Sequence, residues 1–357
     1  MSIRYTSAVV EENKIWLFAP DLSILCVLDK DTKKIKYVAD LGDKKDNKVF
    51  LYYGIIKIGD CIYAFPCQDK ADDIAIYDIL QDKVKYRKIE WSREEWKRKS
   101  NKIVGAYCMN DYLYLVGQNL PIIIKINLQS FEQQIFDLGI EYTMWKNIEQ
   151  IEDKLFIPSL DNKILIVFDT TNDTFELKEL PIETEGIAIV RHWEGQLFVV
   201  PAGSTDIYEI NLEKWIVHKK YSLGNINGLC YREYPFNNLF VKNDFLYLFP
   251  QDANIIVKIN RINGATESIY TYSDEKNYRY HTCFVWNEHY IAGCYSYGEH
   301  IDLYNTETDR LEVYNSVLPE NIHIYWEKRL QEGDCKEISE NQLGLSKFIK
   351  LVIAGRT

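Results

Sequence analysis

The chain writes one phrase seven times. Segments of the type apolar strand, then Pro, Gly or another turn residue, occur as IWLFAP (from Ile15), IYAFPC (Ile62), LYLVGQ (Leu113), LFIPSL (Leu155), LFVVPA (Leu197), LYLFPQ (Leu246) and IAGCYS (Ile291). Their starts are 47, 51, 42, 42, 49 and 45 residues apart. A second marker moves in step: an Asp or Asn ends the next strand of each unit, at Asp29, Asp78, Asn127, Asp169, Asn211, Asn260 and Asn305. Two features in register make a structural repeat, and this period is too long for leucine-rich or ankyrin units.

Each unit divides into strands by β-branched and aromatic enrichment and by turn chemistry. The sixth unit predicts strands at Asn238–Val241, Phe245–Phe249, Asn254–Ile259 and Glu267–Tyr272, with a tight turn at Asn243-Asp244. Pro250 breaks the ladder because proline has no N–H to donate. Asn260 caps the following turn through its side chain. The first strand is expected to be the shortest and the fourth the most polar, as the water-facing edge. The apolar runs are short and lack a sustained 3.6-residue period, which excludes a helical repeat.

A period of this size with four strands per unit is that of a propeller blade. The predicted fold is therefore all-β: a seven-bladed β-propeller of four-stranded antiparallel blades over residues 1–317, with blades at about 6–41, 51–90, 103–138, 144–181, 186–223, 237–272 and 281–317. Residues 318–357 form a C-terminal extension, in which Ile338, Leu345, Phe348, Ile349, Val352 and Ile353 at helical spacing predict a helix over 339–354. That helix is expected to cover the ring closure or the base of the disc, or else to form a dimer contact. The segment NIHIYWEKR (Asn321–Arg329) adds an outer strand or covers a face.

Bulk properties limit the functional classes. No run of eighteen apolar residues exists, and Glu11 and Glu12 interrupt the region a signal peptide would need, so a cytoplasmic protein is expected, without membrane contact. The eight cysteines form no CxxC pair and lie mostly among strand residues, as buried thiols of a reducing compartment do. A formal net charge of −11 disfavours nucleic acid as a partner. One stretch departs from that balance: SREEWKRKSNK (Ser92–Lys102) carries five basic and two acidic residues around Trp96, read as a solvated helix or loop, or else as an anion-binding patch.

The chain resembles the Kelch and galactose-oxidase type of bacterial β-propeller. Its hairpins VLDKDTKKIKY (Val27–Tyr37) and LYNTETDRLEVY (Leu303–Tyr314) also resemble those of quinoprotein propellers. The resemblance is generic. The double-glycine Kelch signature, the Trp-Asp ending of WD40 blades and the sialidase Asp-box are missing, as are the glycine after Thr32 and the tryptophan of quinoprotein repeats. No catalytic residue carries over from these families.

Propellers bind ligands where the loops between blades and the loops between second and third strands surround the channel. On that face the repeats place ligand-binding candidates Arg4, Tyr5, Tyr53 and Trp145, then Arg232, Tyr234 and Asn237, then Arg279, Tyr280 and His281. Aromatics mixed with Arg and Asn suit peptides and sugars. A chain with 26 tyrosines also places aromatics there for packing between blades. No His, Cys and carboxylate spacing supports a metal, and GxSxG, GxGxxG and P-loop patterns are missing, so neither metal nor cofactor is expected. The unit RHWEG (Arg191–Gly195) aligns with solvated turns. Two function classes follow: a noncatalytic scaffold binding a peptide, protein or glycan at the channel mouth, or a lyase or hydrolase for an anionic or carbohydrate-like small molecule, using His281, Arg279 and Tyr280 as base, anion clamp and acid.

Overall fold

The computed structural model describes residues 3–42, 51–69, 71–140, 148–231, 233–273, 279–296, 300–314 and 319–325. They build seven four-stranded antiparallel sheets, each contiguous in sequence. First strands of neighbouring blades lie side by side, that of blade seven (Tyr280–Val285) against that of blade one (Ser7–Val10), so the ring closes. The chain is a seven-bladed β-propeller.

Blade six shows how the repeat produces this. Its strands run Phe236–Lys242, Phe245–Pro250, Ile255–Asn260 and Thr266–Thr271, close to the expected limits. The second strand is buried at five of six positions because neighbouring blades cover both of its faces, and for that reason it reads as a continuous apolar run. The fourth strand is largely exposed, as its polarity predicted. The first strand is the shortest only in blades one and four, at four and three residues; it spans seven in blades two, three, five and six. A bulge near one end accommodates the extra residue.

The Asp or Asn marker is a turn device. Asn260 Oδ1 accepts the N–H groups of Ile262 and Asn263 at 2.9 and 3.2 Å, and Asn127 Oδ1 those of Gln129 and Ser130, both at 2.9 Å. Four residues after each marker the backbone is left-handed, at Lys33, Asp82, Phe131, Asp173, Trp215, Gly264 and Asp309. For the non-glycine residues that conformation costs about 1–2 kcal/mol. At four seams the residue placed there bonds the preceding blade. Lys125 reaches Asp173 and Lys258 reaches Asp309, each at 2.7 Å. Arg87 lies 4.9 Å from the Phe131 ring and Lys178 4.1 Å from that of Trp215.

Since no strand is exchanged between blades one and seven, closure rests on the packing of these two blades and on the chain after blade seven. Glu320 N–H donates to Ile35 O at 2.9 Å, and the Asn321 amide pairs with Tyr37 N–H and C=O at 2.7 and 3.0 Å. Lys34 meets Glu320 at 2.7 Å. Residues 322–325 make one helical turn that puts Tyr325 into a core cluster with Tyr5, Phe284 and Trp286, its hydroxyl donating to Leu22 O at 3.2 Å. The described part of Asn321–Arg329 thus clamps the outer strand of blade one. The helix expected over 339–354 lies outside the described residues.

The seven described cysteines are free thiols, and burial pushes Cys26 up to about 12 and Cys67 to about 11. Among the described residues no helix is long and apolar enough to cross a membrane. The basic stretch is only partly solvated. Its turn Glu94–Lys97 buries Trp96 in the core between blades two and three, and Lys102 is fully buried.

Candidate functional site at the channel mouth

The bulges define the site. In blades two, three, five, six and seven the pairing of first and second strands skips one residue near the same end: Tyr53, Val104, Ala188, Asn237 and His281. A bulge turns its residue out of the regular pleat, and bulges concentrate where side chains must be aimed at a site. Three of the ligand-binding candidates named from the sequence, Tyr53, Asn237 and His281, hold this position. At this end a cavity of about 180 Å³ is lined by residues of six blades, among them Thr6, Tyr53, Val104, Arg191, Asn238 and His281.

Among the described residues, two arginines at the mouth are already paired. Arg4 grips Asp21 through Nη2 at 2.6 Å and Nε at 3.2 Å, and its Nη1 is 3.4 Å from His281 Nε2. A guanidinium only donates, so this contact puts the His281 proton on Nδ1 and engages the Nε2 lone pair. Deeper in, Arg191 binds Glu149 of blade four at 2.6 Å and Leu239 O of blade six at 3.2 Å, while Glu149 also accepts His192 N–H at 3.0 Å. RHWEG is therefore a strand end at Arg191–Trp193, with only Glu194 and Gly195 in the turn. The structure gives Arg191 a role that alignment with solvated turns hid. A one-residue excess in the first strands of five blades was the signal for the bulges, and it is invisible without the pairing.

Other expected ligand residues lie in the seams between blades. Arg279 is buried: Nε donates to Ala253 O at 3.0 Å, Nη1 lies 3.4 Å from Tyr295 OH, and the guanidinium is 4.4 Å from the Tyr272 ring. Lys102 does the same in the seam between blades two and three, donating to Ala71 O at 2.8 Å beside Trp91. Both cations pin the loop of the preceding blade. Asn237 donates to Tyr280 O at 2.6 Å, and Tyr5 is buried in the closing seam, which pushes its phenol well above the usual range. Tyr234 N–H donates to Asp252 at 3.1 Å. The structure brings Arg4, Tyr53 and His281 together at the mouth, and it puts Tyr280 and the residue before its strand, Arg279, in the seam. Trp145 and Arg232 lie outside the described residues.

Asp302, not singled out in the sequence, is buried beside Tyr280. It accepts hydrogen bonds from Tyr280 OH and from Tyr272 OH, the latter at 3.4 Å, and its Oδ1 is 3.4 Å from His300 Nε2 without hydrogen-bond geometry. Burial raises the Asp302 carboxyl above its ordinary range and outweighs the hydrogen bonds that lower it. The folded state then holds a proton that the unfolded state releases near pH 4. Stability contributed by this group is greatest at low pH and falls as pH rises from about 4 through the folded value. An Asp302→Asn variant is expected to flatten that decline, read as the difference in melting temperature from the unaltered protein between pH 4 and pH 7; parallel curves for the two proteins refute it.

A larger groove of about 650 Å³ opens on the opposite face between blades four and five, lined by Trp215, Lys178, His192 and Glu194. Its indole is sandwiched by Phe156, with ring centroids 6.4 Å apart, and Lys178, so it closes a seam. Among the described residues no group of three His, Cys, Asp or Glu side chains could hold a metal ion.

No protein-family model and no curated protein sequence matches the chain. Solved structures do resemble it. Streptogramin B lyase matches with 15% identity and a TM-score of 0.63 over 83% of this chain and 91% of its own. Virginiamycin B lyase from Staphylococcus aureus matches with 12% identity and a TM-score of 0.62 over 83% and 94%. The computationally designed Ika8 protein matches with 9% identity and a TM-score of 0.59 over 88% of each chain. At these identities the likeness establishes the propeller fold. Enzymes and a designed protein share it, so the site must supply the function.

Proposed function

We propose that the protein is a noncatalytic binding scaffold whose channel mouth takes one projecting group of a peptide, protein or glycan. The observation that carries this is the size and state of the cavity. Small-molecule sites usually measure about 300–1,000 Å³, whereas this one is about 180 Å³. It accommodates one side chain or sugar and leaves the rest of the ligand on the rim. Arg4 and Arg191 are ion-paired, and the His281 lone pair that a general base would need is engaged by Arg4. Such groups orient a ligand by hydrogen bonds more readily than they move protons. The resemblance to Kelch-type bacterial propellers and a cytoplasmic setting belong to the same reading.

The test is retention of a partner from the native cell. Arg4→Ala and Tyr53→Ala are expected to weaken retention of a stoichiometric partner about tenfold or more, roughly 1.4 kcal/mol, with an unchanged circular dichroism spectrum as the control, since the Arg4 pair is part-exposed and the Tyr53 ring packs against the core. A small molecule found in the mouth and turned over by the unaltered protein, with turnover lost in His281→Ala, would replace this reading by the lyase or hydrolase one.

A further inference from the structure

The fourth strand of blade two, Lys83–Lys88, differs from the other six outer strands. It reads KVKYRK, with four basic residues and no acidic one, and all but Val84 are exposed, whereas the other outer strand without an acidic residue, Ile216–Ser222 of blade five, carries two lysines. With the segment that follows, residues 83–99 carry eight basic and three acidic side chains in a chain of net charge −11. Positive charge is thus gathered on one stretch of the rim. Lys85 is paired with Asp78 at 3.3 Å, and Arg93 with Asp137 at 2.5 Å. Lys83, Lys88, Arg98 and Lys99 have no ion pair among the described residues.

The geometry narrows the partner. Alternation puts Lys83, Lys85 and Arg87 on one face of the strand, successive charges about 6.7 Å apart. The strand is also a sheet edge. At one end the Gln133 amide of blade three closes that edge, accepting Glu90 N–H at 3.0 Å and donating to Lys88 O at 2.9 Å. Between Lys83 and Arg87 no comparable closure exists among the described residues. A single-stranded nucleic acid stacks on a run of exposed rings, but this stretch offers one, Tyr86, whose hydroxyl is held by Gly42 O at 3.2 Å, while Trp91 and Trp96 are buried. An extended chain with carboxylates at alternate positions matches both the period of the charges and the open edge, since opposite charges across paired strands attract.

We propose that Lys83–Lys88 is a docking strand for an acidic extended segment of a partner protein, which adds to blade two as a fifth strand with its carboxylates beside Lys83, Lys85 and Arg87. This site is separate from the channel mouth and does not depend on what the mouth binds. Lysines on an edge strand also deter unwanted pairing, and a purely protective role predicts no binding.

Fluorescence anisotropy of the full chain with a fluorescein-labelled octapeptide of alternating Glu and Thr tests this. Two probes of similar charge serve as comparisons: the same peptide with proline for threonine, which cannot pair as a strand, and pentathymidylate, whose four phosphodiesters match the four glutamates. The Glu-Thr peptide is expected to bind about tenfold or more tightly than either, and a Lys83→Glu/Lys85→Glu variant with an unchanged circular dichroism spectrum is expected to lose about tenfold. No binding, a proline peptide within that factor, an oligonucleotide that binds as well or better, or an indifferent variant would each overturn the proposal.

Discussion

Tyr325→Ala is expected to open the ring. Tyr325 is almost fully buried, packs in the cluster that joins blades one and seven, and its ring lies 5.8 Å from that of Tyr37. Deleting a buried aromatic ring costs about 3–5 kcal/mol, a large share of the 5–15 kcal/mol that typically holds a domain folded. At about 2–4 °C per kcal/mol for large domains, a fall in melting temperature on the order of 10 °C is predicted. Tyr325→Phe keeps the ring and loses only the bond to Leu22 O, worth about 1 kcal/mol. The reason for so large an effect is topological. Each blade is sewn from consecutive strands, so no strand exchange binds the ends, and the clamp at residues 319–325 takes over that task. Thermal denaturation followed by circular dichroism decides the matter: an alanine variant melting within a degree or two of the unaltered protein means that first-strand contacts alone close the ring.

Gly186→Ala is the second expected large loss. A Cβ at Gly186 would stand 1.7 Å from Leu160 O, a backbone atom that no side-chain rotation can move away. The backbone here is held from both sides, because Gly186 O accepts Ala202 N–H within blade five at 2.8 Å and the next residue, Ile187, donates its N–H to Ser159 O of blade four at 2.6 Å. Relief requires blades four and five to separate, so a destabilisation of about 3 kcal/mol or more is expected. Gly224→Ala is the control, since the nearest atom to its Cβ is Thr205 Oγ1 at 4.0 Å. Equal melting temperatures for the two variants would show that the seam yields without cost.

Both variants mark the boundary of what a linear reading can reach. The strands, their turns and the number of blades were legible because they rest on short-range patterns. LYLFP is apolar throughout because both faces of a second strand are covered, and Asn260 recurs because an amide is needed to bond the turn after it. The polar fourth strand follows from exposure. Tyr53 and His281 were also reachable, since alignment placed them at the mouth end of first strands. Arg279 and Tyr280 lay at the same positions in the alignment, yet the seam took them, because Arg279 binds Ala253 O of blade six and the Tyr280 ring packs against Phe249.

What the chain alone determined, then, is a ring of seven four-stranded units with a polar rim, since each unit's pattern is written within about forty residues and repeated. Tertiary structure alone decided which residues meet at the channel and how the ring is closed. Arg4 and His281 are 277 residues apart, Asn321 and Tyr37 284, and Arg191 finds Glu149 on another blade. Such pairs leave no periodic trace, because their partners are set by the rotation of one blade upon the next and not by neighbours in sequence.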